Sequence, residues 1–161
     1  MIDGKSHGLG WVRLCMLLAA GMAYAQQPVA FPHNTHIEMG LDCTDCHIGA
    51  DTRAAAGIPG VNKCMLCHAK LGRDKAEVKK VIDYANRKIE IPWRRVYEFA
   101  PSAHVKFKHA PHYQAGIGCA TCHGDMTKVT VAKKVVTHNM GSCVACHRQN
   151  HATQDCAACH N

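Results

Sequence analysis

The apolar residues of this 161-residue chain concentrate in a few stretches. The first follows Lys5 and Arg13: an apolar run from Leu14 to Ala23, closing on Ala23-Tyr24-Ala25. A charged start, a run of about ten apolar residues and an A-x-A site predict a cleavable secretory signal over residues 1–25. Such a run is roughly half of what a bilayer span requires. The mature protein is expected to start at Gln26, to be exported to the periplasm and to contain no transmembrane segment; Cys15 and His7 leave with the leader. The second stretch has helical period. Val78, Ile82, Ala85 and Ile89, with Val81 beside them, predict a helix over 75–89, opened by an Asp74/Glu77 capping box and unable to run far past Pro92. A β-branched run of Val129, Val131, Val135 and Val136 predicts a short strand. Elsewhere neither period is sustained, so the backbone should be mostly irregular with short helical turns.

Composition sharpens the problem. From Gln26 onward Leu, Ile, Val and Phe make up only about 18% of residues, within the range of chains that bury too little surface to fold. Something other than side chains must supply the core. The cysteines name it: all ten after the leader fall into five Cys-x-x-Cys-His units, Cys43/Cys46/His47, Cys64/Cys67/His68, Cys119/Cys122/His123, Cys143/Cys146/His147 and Cys156/Cys159/His160. This is the c-type haem attachment signature. Each cysteine adds across one vinyl group and the adjacent histidine is held beneath the iron. A disulfide framework has no need of a histidine after every second cysteine. Structural zinc would pair the units into four-cysteine sites, which an odd number frustrates and which leaves the histidines surplus. A thioredoxin-like motif would be single and embedded in a βαβ pattern.

Five covalent haems change the meaning of the charge. The formal net charge of +7 falls to +6 without the leader. A ferric bis-imidazole haem with both propionates ionised carries about −1 and a ferrous one about −2, so the excess of lysine and arginine neutralises propionates. It gives no case for nucleic-acid binding. Trp93, Arg94 and Arg95 fit packing over haem edges and propionate pairing, and Lys128, Lys133 and Lys134 are candidates for steering an acidic partner.

Beyond the proximal histidines, seven remain for five sixth positions: His33, His36, His104, His109, His112, His138 and His151. Residues 31–47, FPHNTHIEMGLDCTDCH, repeat as residues 107–123, FKHAPHYQAGIGCATCH, without a gap at an offset of 76 and with seven of seventeen positions identical. The Phe-x-His-x-x-His pair ahead of a haem motif resembles the class III multihaem cytochromes c. That resemblance implies that the first histidine of a pair ligates the haem just downstream and the second a different one: His33 with His47, His36 with His68, His109 with His123 and His112 with His147. It is closest over residues 107–160. There His138 takes the place of the ligand to the last haem, one residue further from Cys143 than in the trihaem pattern, with Met140 competing and His104 and His151 in reserve.

The segments AGIPGVNKCMLCH (56–68), IPWRRVYEFAPSAHVKFKHAPH (91–112) and NMGSCVACHRQ (139–149) are similar to the multihaem periplasmic subunits of alternative complex III and of the related quinone reductase complex. This resemblance implies redox partners: a membrane quinone-oxidoreductase complex or other multihaem cytochromes. The expected organisation is a dihaem module (26–72), a connector with one helix (73–100) and a trihaem class III-like module (101–161). The fold should be small and mostly irregular, with short α-helices, and the haems should form its core. Two functions compete. An electron carrier has every iron six-coordinate; a multihaem reductase of nitrite, hydroxylamine or a similar oxidant needs one open iron face. Known multihaem nitrite reductases mark that haem with a lysine replacing the proximal histidine, whereas all five units here end in histidine. The carrier is the favoured reading.

Overall fold

The computed structural model describes residues 27–160; the expected leader and the Gln26 start lie outside them. Eight short helices carry most of the regular structure: α1 (His33–Glu38), α2 (Cys43–Cys46), α3 (Val61–His68), α4 (Ala76–Asn86), α5 (His109–Gln114), α6 (Cys119–His123), α7 (Met140–Gln149) and α8 (Cys156–Cys159), with 3-10 turns at Pro101–Ala103 and Met126–Lys128. Among the described residues the sole β-type pairing is one antiparallel bridge, Val105 with His160.

Each attachment unit starts or fills a helical segment, which sets its two cysteines three residues apart on one face with the histidine beside them. The sequence caps these short segments individually. Asp42 N–H donates to the Asp45 carboxylate at α2 (2.8 Å). The Glu90 carboxylate, from 29 residues away, accepts from Val61 N–H at the start of α3 (2.7 Å). At α7, Ser142 N–H donates to the Asn139 side chain (2.8 Å) while Asn139 N–H donates to Ser142 Oγ (3.1 Å). Asp155 accepts from Ala157 N–H at α8 (3.2 Å).

The apolar core is small. Val29, Val61, Val81 and Ile91 form its cluster, with Tyr84, Met65 and Trp93 against it, so that α3 and α4 pack with the segments around Val29 and Ile91. Val78, Ala110 and Val129 are the other buried apolar residues. The indole N–H of Trp93 is buried without a partner.

Two expectations are corrected. The connector helix runs over Ala76–Asn86, shorter at both ends than 75–89, and its N-cap is Lys75 with no side-chain cap bond. Glu77 does not close a box with Asp74, because its carboxylate is taken by Ala30 N–H (2.7 Å) and Lys80 (2.7 Å). The helix stops before Pro92 because Lys88 turns left-handed (φ 57°). The valine run at 129–136 is irregular. No strand lies beside it; the Val129 carbonyl accepts from Asn34 N–H (3.1 Å) and the amides of Val135 and Val136 donate to the Tyr97 hydroxyl (3.0 and 3.1 Å).

Candidate haem-binding centres

Helices α1 and α5 each project two histidines, three residues apart, towards two different attachment units. The imidazoles of His33 and His47 lie parallel (4°) with centroids 6.5 Å apart, and those of His109 and His123 lie parallel (4°) at 6.3 Å. His36 faces His68 at 6.1 Å, and His112 faces His147 at 5.9 Å. A metal–imidazole bond of about 2 Å on each side of an iron requires a ring separation of about 6 Å. These four pairs have the spacing that one iron would fill, and so does a fifth, His138 with His123 (6.4 Å, 83°), which shares His123 with His109.

The second nitrogens agree with this. Nδ1 lies on a backbone carbonyl in His36 (Pro32, 2.9 Å), His47 (Gly57, 2.8 Å), His68 (Leu71, 3.0 Å), His109 (Ala54, 3.1 Å), His112 (Lys108, 2.7 Å), His147 (Thr153) and His160 (Ala103, 3.0 Å). An Nδ1–H held by a carbonyl leaves Nε2 as the free lone pair, the tautomer that metal ligation uses. His33 Nδ1 is buried without a partner. The pKa of His33 is lowered, by burial first and then by His47 and His36. That of His123 is lowered by burial, then by His109, His138 and His47. Both are thus biased to the neutral form a ligand must have.

Phe31 stands edge-on to His33 (4.8 Å) and stacks on His36 (4.3 Å); Phe107 repeats this with His109 (4.8 Å) and His112 (4.7 Å). The phenylalanine common to the two repeats thus wedges the histidines apart towards separate attachment units. Cys43, Cys46, Cys64, Cys67, Cys119, Cys122, Cys143, Cys146, Cys156 and Cys159 lie at the surface or half-buried, open to a large planar group. Burial is the largest cause raising the thiol pKa of Cys46, Cys64 and Cys122. Among the described residues no group of three or more His, Cys, Asp or Glu is arranged to hold a bare metal ion.

The fifth centre is different. His160 has its Nδ1 on the Ala103 carbonyl, but no histidine ring pairs with it among the described residues. His138 lies beside the third unit: its Nε2 is 2.7 Å from the Cys122 carbonyl and its ring stacks on Tyr97 (4.8 Å). Met140 opens α7 and is 66% exposed. His104 and His151 both adopt left-handed backbone (φ 48° and 54°).

Tyr97 is the site residue that motif reading missed. Its hydroxyl accepts from Val135 and Val136 and reaches the His123 carbonyl (3.4 Å), while its ring stands edge-on to His123 (4.9 Å). Together with Phe107, His109, His123, His138 and Cys143 it lines a cleft of about 130 Å³. A lone tyrosine in an irregular connector carries no periodic or motif signal.

Comparison with known proteins adds to this geometry. Residues 18–90 match the model of the class III cytochrome c family, and residues 105–161 that of cytochrome c7 and related cytochromes c. The menaquinone reductase multiheme cytochrome c subunit of Nitratidesulfovibrio vulgaris is 31% identical, over 86% of this chain and 70% of that protein.

Proposed function

The chain belongs to the multihaem class III cytochromes c, and from that membership we propose that it is an exported pentahaem electron carrier serving a membrane quinone-oxidoreductase complex. Multihaem electron transfer follows from the family; the haem count, the export and the partner are the further steps. The observation that carries the reading is the facing of histidines across four of the five units at 5.9–6.5 Å. A ligand on each side leaves an iron no face for substrate. Low-potential conduction is then the available chemistry, since bis-histidine ligation lies at the reducing end of the c-type range. In this reading Cys43, Cys46, Cys64, Cys67, Cys119, Cys122, Cys143, Cys146, Cys156 and Cys159 bind five haems covalently. His47, His68, His123, His147 and His160 are the proximal ligands; His33, His36, His109 and His112 are the distal ligands of the first four haems, and His138, which stands beside His123 with Nε2 on the Cys122 carbonyl, would turn to become the fifth. The similarity to a menaquinone reductase subunit supports a quinone-linked partner. No helix among the described residues is long and apolar enough to cross a membrane, so attachment would run through that complex.

A reductase reading draws on one observation, that among the described residues no histidine ring stands opposite His160. Spectroscopy of the holoprotein separates the two. The carrier is expected to show a purely low-spin ferric spectrum and no carbon monoxide binding when reduced. One stoichiometric high-spin haem that binds carbon monoxide would establish an open iron and overturn the carrier.

A further inference from the structure

We infer that residues 31–53 and 107–129 pack about an internal pseudo-twofold axis that sets the first and third attachment units face to face, so that the electron path runs from the unit of His68 through those of His47 and His123 to that of His147. This deepens the carrier reading and rests on it.

The decisive observation is a reciprocal pair of hydrogen bonds between the repeats. Asn34 N–H donates to the Val129 carbonyl (3.1 Å), and Ala110 N–H donates to the Arg53 carbonyl (3.0 Å). With the repeat offset of 76, Asn34 is equivalent to Ala110 and Arg53 to Val129. If i of one repeat bonds j of the other while the equivalent of i bonds the equivalent of j in return, the contact is isologous, the signature of twofold packing. Head-to-tail stacking would produce one of these bonds without the other.

The elements on each side of this contact are themselves equivalent. α1 (His33–Glu38) and α5 (His109–Gln114) coincide after the shift. The turn before each acceptor is built alike, Thr52 N–H to the Gly49 carbonyl (3.3 Å) and Lys128 N–H to the Asp125 carbonyl (3.2 Å). The equivalent pairs His33/His47 and His109/His123 share one geometry, parallel to 4° in both.

Near a twofold axis, equivalent atoms meet each other. The Cys43 thiol is raised by burial and next by the thiol of Cys119, its own equivalent. Away from the axis the neighbours differ. α1 sends His36 to His68 at 6.1 Å, whereas its equivalent α5 sends His112 to His147 at 5.9 Å. The first and third units thus occupy the centre, and the second and fourth the flanks. Symmetry is broken where the chain outside the repeats comes in: His109 bonds the Ala54 carbonyl through both its amide (2.9 Å) and Nδ1 (3.1 Å) while His33 Nδ1 has no partner, and Tyr97 packs on His123 but not on His47.

Iron positions in a crystal of the holoprotein, located by anomalous scattering, test this without any substitution. A rotation close to 180° should carry the irons of His47 and His68 onto those of His123 and His147, with the irons of His47 and His123 the nearest pair between the modules. A translation, a rotation far from 180° or a different nearest pair would overturn it. In solution, an NMR-followed redox titration should show that reducing the haem at His47 hinders reduction at His123 more than at His147. The largest cross-module coupling falling elsewhere would count against the arrangement. Fewer than five irons would defeat the pentahaem reading and leave the twofold to be judged on the first four units. Five irons without the twofold would defeat this inference alone.

Discussion

At the scale of single residues, the working unit is a histidine pair spaced by three in one helical turn. His109 and His112 leave α5 on neighbouring faces and are kept apart by the Phe107 ring, so each reaches a different unit. His112→Ala is expected to turn the haem of His147 high-spin and leave that of His123 low-spin. His109→Ala should do the reverse, with all five haems still attached, because attachment uses only the cysteines and the proximal histidine. EPR of the two ferric variants checks both outcomes. If His112→Ala leaves every iron low-spin, the bridging assignment fails or a reserve histidine replaces it, and combining it with His104→Ala or His151→Ala tells these apart. The facing of these histidine pairs was legible from the sequence, because haem attachment uses a fixed local spacing, the repeat exposes its own histidine pairs and the family resemblance implies which unit each one faces. The fifth distal ligand was not legible. Its partner need only be close in space, and neither His138, on the Cys122 carbonyl, nor the exposed Met140 faces His160 through a contact that spacing could reveal.

At the scale of elements, long-range polar anchors do what helix propensity does not. The 3.6-residue period disclosed α4, but its boundaries followed from features the period does not carry: Glu77 serves the remote Ala30, and Lys88, just past the last turn, ends the helix through its left-handed backbone. The valine run failed as a strand for the same class of reason, since a strand needs a partner and Tyr97 supplies only one hydroxyl. The Glu77 carboxyl is held below the usual glutamate range by Lys80 first and by the Ala30 amide next. A depressed carboxyl stabilises the folded state above its unfolded pKa of about 4.3, and that contribution is lost as pH falls below this value. Glu77→Gln is therefore expected to lower holoprotein stability near pH 7 and to change it little at low pH, which flattens the acid limb, as thermal unfolding from neutral to acid pH would show. An unchanged acid limb would mean that the ion pair and the Ala30 anchor contribute nothing on folding.

At the scale of the whole molecule, seven buried apolar side chains are the entire conventional core among the described residues, and one small cluster joins the first module to the connector. Chain entropy rises with length, whereas this apolar surface is confined to five valines, an isoleucine and an alanine. The large side chains left exposed include Ile48, beside the first unit, Leu66, within the second, and Leu71, just after it. Apolar macrocycles attached at those units would cover such positions, so the cofactor joins the folding equilibrium as a structural metal does. The chain is accordingly expected to be unfolded without haem. Expressed without maturation, it should lack helical circular dichroism, and a well-folded apo-protein would show that side chains alone suffice. Matured protein should have the mass of residues 26–161 plus five haems, and four or fewer would sink the count. Removing one central attachment, by Cys119→Ala with Cys122→Ala, should lower stability more than the matching pair Cys156→Ala with Cys159→Ala. The third unit adjoins Tyr97, the Ala54 carbonyl on His109 and the facing Cys43, whereas the last is anchored to the rest of the chain through the Val105 bridge and the Ala103 carbonyl. Equal losses from the two deletions, compared by thermal unfolding, would mean that each haem stabilises only its own loop and that no centre exists for the others to build on.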